Sequence, residues 1–201
     1  MSKVFGIGWA KTGTTTLGRC LEILGYNHQT QKLWLAFDYG KKDFSRIFDV
    51  VDKYDSFEDW PWLLMYKEFD KQYPGSKFIL TTRGHSSWVD SYKNMVKTQG
   101  KASKHMNKVR SILYDLPFPN VTNEQLINRY NLHVANVQEY FKDRPDDLLI
   151  INWKNGDNWE KICPFLGKEI PNQDFPHANK GDYKKPKPNY ILKRIKELFF
   201  R

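Results

Sequence analysis

The stretch Val4-Phe5-Gly6-Ile7-Gly8-Trp9-Ala10-Lys11-Thr12-Gly13-Thr14-Thr15-Thr16 decides the fold. Its first five residues are short, apolar and β-prone, and from Gly13 to Gly25 apolar residues recur at Leu17, Leu21 and Leu24 before a glycine suited to a helix end. The order is strand, glycine turn, helix. Such a turn holds a phosphate when its glycines let successive N–H groups point inward with a helix N-terminus behind them. Gly8 and Gly13 keep the spacing of the nucleotide-binding P-loop, but Thr14 stands where that loop has its lysine, and the cation has moved to Lys11. An ordinary Thr-capped turn explains neither Lys11 nor three successive threonines in a first helical turn, where they are poor helix formers. Anion binding by Lys11, Thr12, Gly13, Thr14, Thr15 and Thr16 explains both.

Further along the chain, Ile47 to Val51 reads as a weaker strand, followed by a polar turn over 52–58 and a helix that starts near Pro61 and stops at Pro74-Gly75. Lys77 to Thr82 is the clearest internal strand. Ser86 to Val96 keeps Trp88, Tyr92, Met95 and Val96 on one helical face. Thr122-Asn-Glu-Gln125 is a capping box opening a long helix through Phe141 to a stop at Pro145. Leu148 to Ile151 reads as a buried strand from its unbroken apolarity, and 157–166 as a helix closed by Gly167. Strands alternating with helices imply an α/β fold of three layers, P-loop-type, with a central parallel sheet and helices on both faces.

The chain has 201 residues, 40% hydrophobic, with 13 Phe, 11 Tyr and 7 Trp. A disordered chain lacks that much apolar surface, and 12 Gly with 10 Pro exclude collagen-like sequence. The length fits one domain over 1–201. Residues 97–121, rich in Lys, Ser and His and broken at Pro117-Phe118-Pro119, interrupt the alternation and read as a lid or acceptor-binding insertion. Of the net charge of +9, a basic segment over 180–201 carries +6, with eight Lys/Arg against two acids. That surplus suits an anionic ligand, nucleic acid or an acidic membrane, or simply a solvated basic face on a last helix. Cys20 and Cys163 lie in apolar helical patterns and read as buried thiols of a reducing compartment. The N-terminal apolar run is too short for a signal peptide or a membrane span, so a cytoplasmic protein is expected.

An NTPase needs an acid at the end of an apolar strand to organise Mg²⁺. Here the best strand ends in Arg83, which asks for a second phosphate, and Ser91 projects from the helix that follows, where its hydroxyl and the Arg83 fork can meet one oxyanion. Two alternatives remain. A P-loop small-molecule kinase using ATP and Mg²⁺ is opposed by the displaced Lys11 and the absent acid. A basic nucleic-acid-binding module fits the charge and the aromatic content, but gives no reason for Arg83 and Ser91 at their spacing.

With both motifs in view, the sequence resembles the sulfotransferases that use 3′-phosphoadenosine 5′-phosphosulfate. Lys11, Gly13, Thr14 and Thr15 match that family's Lys-x-Gly-Thr-Thr loop for the 5′-phosphosulfate. Arg83, Ser91 and Tyr92 match its 3′-phosphate element, and Phe165-Leu166-Gly167 its later helix end. The likeness spans most of 3–179 and leaves 97–121 unmatched. The family's late Arg-Lys-Gly loop has a loose counterpart in Asn179-Lys180-Gly181, without the arginine, so Lys180 is either a phosphate ligand or part of a basic surface loop.

The resemblance implies in-line sulfuryl transfer without a metal to a hydroxyl or amine of a small-molecule or carbohydrate acceptor, leaving adenosine 3′,5′-bisphosphate. No nucleic-acid partner or transmembrane segment is expected. Catalytic residues would then be Lys11, relieving charge on the leaving group, and a base near Ser56 to Trp62. Asp59 is the first candidate and Glu58 the next, with His85 after them. Asp59 is equally readable as a helix cap. The remaining histidines, His28, His105, His133 and His177, have no local partner set, and Trp9, Trp60, Trp62 and Trp88 read either as an aromatic wall or as core.

Overall fold

A computed structural model describes residues 2–176. Five parallel strands form one sheet in the order β2-β3-β1-β4-β5, with β1 Val4–Gly6, β2 His28–Gln29, β3 Ser56–Glu58, β4 Lys77–Thr81 and β5 Leu148–Ile151. The described helices are α1 Thr14–Ile23, α2 Ala36–Gly40, α3 Ser45–Val51, α4 Tyr66–Gln72, α5 His85–Gln99, α6 Lys104–Tyr114, α7 Asn123–Tyr140 and α8 Trp159–Leu166. None is long and apolar enough to cross a membrane.

The two-residue period of a strand sorts the core between the two faces of the sheet. Along β4, Phe78 and Leu80 join a large aromatic cluster, whereas Ile79 joins a smaller one. In the first, Phe5 stacks on Phe57, Phe69 and Phe78 with centroids 5.2, 4.5 and 5.5 Å away, beneath α4 and α7. In the second, Leu17 and Leu21 of α1 meet Ile162 and Cys163 of α8 over Val4, Ile79 and Ile151. Cys20 and Cys163 are free buried thiols of this face. Burial, and then the neighbouring Cys163, push the Cys20 thiol up to about 12.

Local signals match the structure where the sequence states them outright. The Thr122–Gln125 capping box is present in both directions, and Gly167 closes α8 with a φ of 61°. Three readings are corrected. Ile47 to Val51 is helix α3 and no strand, because Ile47 and Val51, four residues apart, bury one helical face; packing overrides the weak β preference of these residues. The third strand from the N-terminus, β3, lies instead inside the segment read as a polar turn, where Ser56 and Glu58 are buried polar residues. The helix beginning near Pro61 is split into a 3-10 turn at Trp62–Leu64 and α4. In addition, β5 is the edge of the sheet, so only Ile151 of its four residues is fully buried.

The segment 97–121 holds the end of α5 and the helix α6, which packs on α2. Gly40 permits that approach, since a Cβ there would stand 3.0 Å from Ile112 Cγ2. Strands after β1 leave on one side as far as β3 and on the other from β4. The strand order therefore reverses beside β1, the place where open α/β sheets bind ligands beyond their carboxyl ends.

Candidate active site

The loop between β1 and α1 is shaped by a close approach to β4. A Cβ on Gly8 would collide with Thr81 Oγ1 and stand 2.7 Å from the Thr81 carbonyl oxygen, so glycine is required there. Thr12 Oγ1 donates to Trp9 O at 2.6 Å, which leaves Thr81 Oγ1 to donate to Thr12 across 2.6 Å. The backbone then turns through two left-handed residues, Lys11 at φ 74° and Gly13 at φ 99°. Glycine adopts this region freely and lysine at a cost. Gly13 is the N-cap of α1 and no side chain caps the helix, so the first-turn amides of Thr14 and Thr15 have no helical acceptor. Thr14 and Thr16 are buried and Thr15 is exposed. Trp153, beyond β5, walls the loop by donating from Nε1 to Gly13 O at 3.1 Å.

The structure brings Arg83 to this loop. Arg83 follows β4, and its guanidinium donates from NH1 to Lys11 O at 3.3 Å and from Nε to Ser87 Oγ at 3.2 Å. The partner within hydrogen-bond reach is thus Ser87, one helical turn before Ser91. Ser91 is buried on α5, four residues further and hence on the same face as Ser87. A cavity of about 370 Å³ borders Arg83 and His85, with Tyr130, Asn131, Gln138 and Asn152 around it. Lys180 and His177 lie outside the described residues.

On the other side of β1, Asp59 follows β3 with a φ of 71° and is half-buried. Its Oδ1 accepts from the amide of Trp60 at 3.0 Å. Neither Pro61, the N-cap of the 3-10 turn, nor Met65, the N-cap of α4, caps its helix with a side chain. Trp60 meets Trp9 edge-on at 4.9 Å and Tyr114 of α6 at 4.8 Å. Burial, then Tyr92, then Asp59 drive the Tyr114 phenol well up, which places the Asp59 carboxylate within electrostatic reach of α6.

Glu58 points the opposite way, under α1. It is 3% exposed, accepts from Thr30 Oγ1 at 2.5 Å and lies 3.9 Å from His28 Nε2. It ties β2 to β3. His28 in turn bonds Ser56 Oγ at 2.9 Å, and His133 bonds Ile7 O at 2.8 Å, so these two histidines do have partners, at long sequence range. Facing a carbonyl oxygen, the His133 Nε2 must carry the hydrogen, and burial depresses its pKa to about 4. His105 packs on the Phe37 ring. Trp9, Trp60, Trp62 and Trp88 are all core. Tyr130, Ser87 and Trp153 join the site through contacts that no local spacing in the sequence announces.

Comparisons with known proteins bear on this geometry. Residues 3–183 match the sulfotransferase domain family. The chain is 27% identical over 216 residues to Ava biosynthesis cluster protein M of Aspergillus versicolor, covering 90% of this chain and 82% of that protein. Its fold is similar to the crystal structure of a sulfotransferase from Alicyclobacillus acidocaldarius, with a TM-score of 0.54 at 14% identity over 99% of this chain and 91% of the other. The match over nearly the whole chain and the shared fold agree, and the chain belongs to the sulfotransferase family as an enzyme of that class.

Proposed function

We propose that the enzyme moves a sulfuryl group from 3′-phosphoadenosine 5′-phosphosulfate to a hydroxyl or amine of a small-molecule or carbohydrate acceptor by in-line displacement. The observation that carries the reading is the hydrogen bond from Arg83 to the Lys11 carbonyl. It joins two anion-binding elements at one mouth, as a ligand with phosphates at both ends of a nucleoside requires. The residues fit such a donor: first-turn amides without helical acceptors and the Lys11 cation for the 5′ end, Arg83 with Ser91 for the 3′-phosphate, and the cavity beside Arg83 for part of the nucleoside. Lys180 stays a candidate for the same phosphate.

When bound, the donor supplies an electrophilic sulfur whose bond to a phosphate oxygen breaks, the electron pair leaving on that oxygen. Lys11 and the amides of Gly13 to Thr15 stabilise the negative charge that develops there, the Thr16 amide being bonded to Gly13 O at 3.0 Å. Asp59, held in a left-handed turn opposite, accepts the acceptor proton as the new bond to sulfur forms. The segment 97–121, through Tyr114 over Trp60, closes the acceptor side.

The test is thermal shift. Adenosine 3′,5′-bisphosphate is expected to raise the melting temperature with no added metal, and ATP with Mg²⁺ to raise it less, because a ligand that binds the native state stabilises by mass action. Equal shifts, or a shift that needs Mg²⁺, would replace this reading with a kinase.

A further inference from the structure

Arg83 sits just past the sheet. The last ladder bond of β4 is Thr82 N–H to Ile151 O at 2.7 Å, and beyond it the Arg83 peptide groups have left the strand register. One side chain satisfies both. Tyr130 of α7 accepts from Arg83 N–H at 3.0 Å and donates to Arg83 O at 3.0 Å through the same hydroxyl. A backbone with its donor and acceptor both bonded to one rigid ring has little freedom of φ and ψ, so the direction in which the side chain leaves is set.

Two further contacts tie this grip to the loop. The Tyr130 ring stacks on Trp88 at 5.1 Å and 7°, and Trp88 Nε1 donates to Ala10 O at 2.8 Å. At the far end, Ser87 Oγ accepts from Arg83 Nε and donates to Gly84 O at 3.0 Å. We propose that Tyr130 and Ser87 are positioning residues of the second anion site, one fixing the Arg83 backbone and the other its guanidinium, so that the enzyme discriminates a nucleotide bearing a 3′-phosphate from one without. This rests on the reading given under Proposed function.

The experiment is titration calorimetry with adenosine 3′,5′-bisphosphate and adenosine 5′-monophosphate on wild type, Tyr130→Phe, Ser87→Ala and each combined with Arg83→Ala. Tyr130→Phe keeps the ring in its stack, and the adjoining cavity admits water to the released peptide groups. Ser87 is only half-buried, so its alanine variant folds even where the phenylalanine one does not. Each single variant is expected to lower the preference for the bisphosphate about tenfold, with the monophosphate unaffected, the scale of misplacing one charge-assisted hydrogen bond. In the Arg83→Ala background neither substitution changes the preference. An unchanged preference in either single variant, an equal loss for both nucleotides, or a further loss without Arg83 would overturn the proposal. Wild type with no preference would instead remove the donor assignment, and this inference with it.

Discussion

Lys11 and Asp59 share an uncommon backbone region, at φ 74° and 71°, yet their surroundings hold them there by different means. Around Lys11 the restraint is polar. Thr12 is bonded to Trp9 and Thr81, Gly13 to Trp153, Arg83 to Lys11 itself, and the root of the loop to His133 through Ile7. Around Asp59 it is largely aromatic, with Trp60 wedged between Trp9 and Tyr114, beside the bond that Oδ1 accepts from the Trp60 amide. Hydrogen bonds fix direction as well as distance, which suits the array of donors proposed to meet a phosphate. Packed rings exclude water but specify orientation less, which suits the acceptor side proposed for this corner, where α6 comes from a separate segment. Strain at both corners is consistent with function, since a left-handed non-glycine residue persists only where its surroundings over-determine it.

The largest expected effect falls on the polar corner. Lys11→Ala should lower single-turnover rates by about 10² to 10³ with a smaller loss of bisphosphate affinity, because its charge matters most as the leaving oxygen becomes anionic. A variant turning over at the wild-type rate would leave that corner a binding site only.

The next effect probes how far the polar corner depends on one neutral imidazole. The His133 pKa falls from 6.5 unfolded to about 4 in the native protein, by burial foremost. The unfolded chain thus takes up a proton first as pH drops, so the contribution is whole above about pH 6.5 and is lost as pH falls toward 4. Urea unfolding should show a loss of about 3 kcal/mol across that window. His133→Gln, which retains an N–H donor, should flatten it. A slope that survives in His133→Gln belongs to other groups.

The loop, its helix, the capping box and the closing Gly167 were legible because each is a local rule about neighbouring residues. Arg83 was legible for the same reason, as a cation ending an apolar strand. What was not legible is long-range. The strand β3 is three residues long and two of them are polar, bonded to His28 and Thr30 across the sheet, so its hydrophobic pattern vanishes. Tyr130 lies 47 residues from Arg83 and reads as one more apolar position on α7. The sequence left Asp59 and Glu58 adjacent and equivalent in chemistry. The pleat separates them, sending Glu58 beneath α1 and leaving Asp59 in the turn beyond.

The smallest effects concern the aromatic corner. Asp59→Asn preserves size and backbone, so turnover should fall by about 10² while the melting temperature barely moves. Asp59→Gly relieves the left-handed residue and should gain about 1 kcal/mol of stability while losing the same activity. An active Asp59→Asn enzyme would return the search to His85, because Glu58 is enclosed.

The position of a bound bisphosphate is the most direct test of the proposed site. A crystal structure with adenosine 3′,5′-bisphosphate is predicted to show the 5′-phosphate on the amides of Gly13 to Thr15 beside Lys11, and the 3′-phosphate on the Arg83 guanidinium with Ser91. A 3′-phosphate that leaves Arg83 uncontacted, or a nucleotide seated away from the loop, would contradict it.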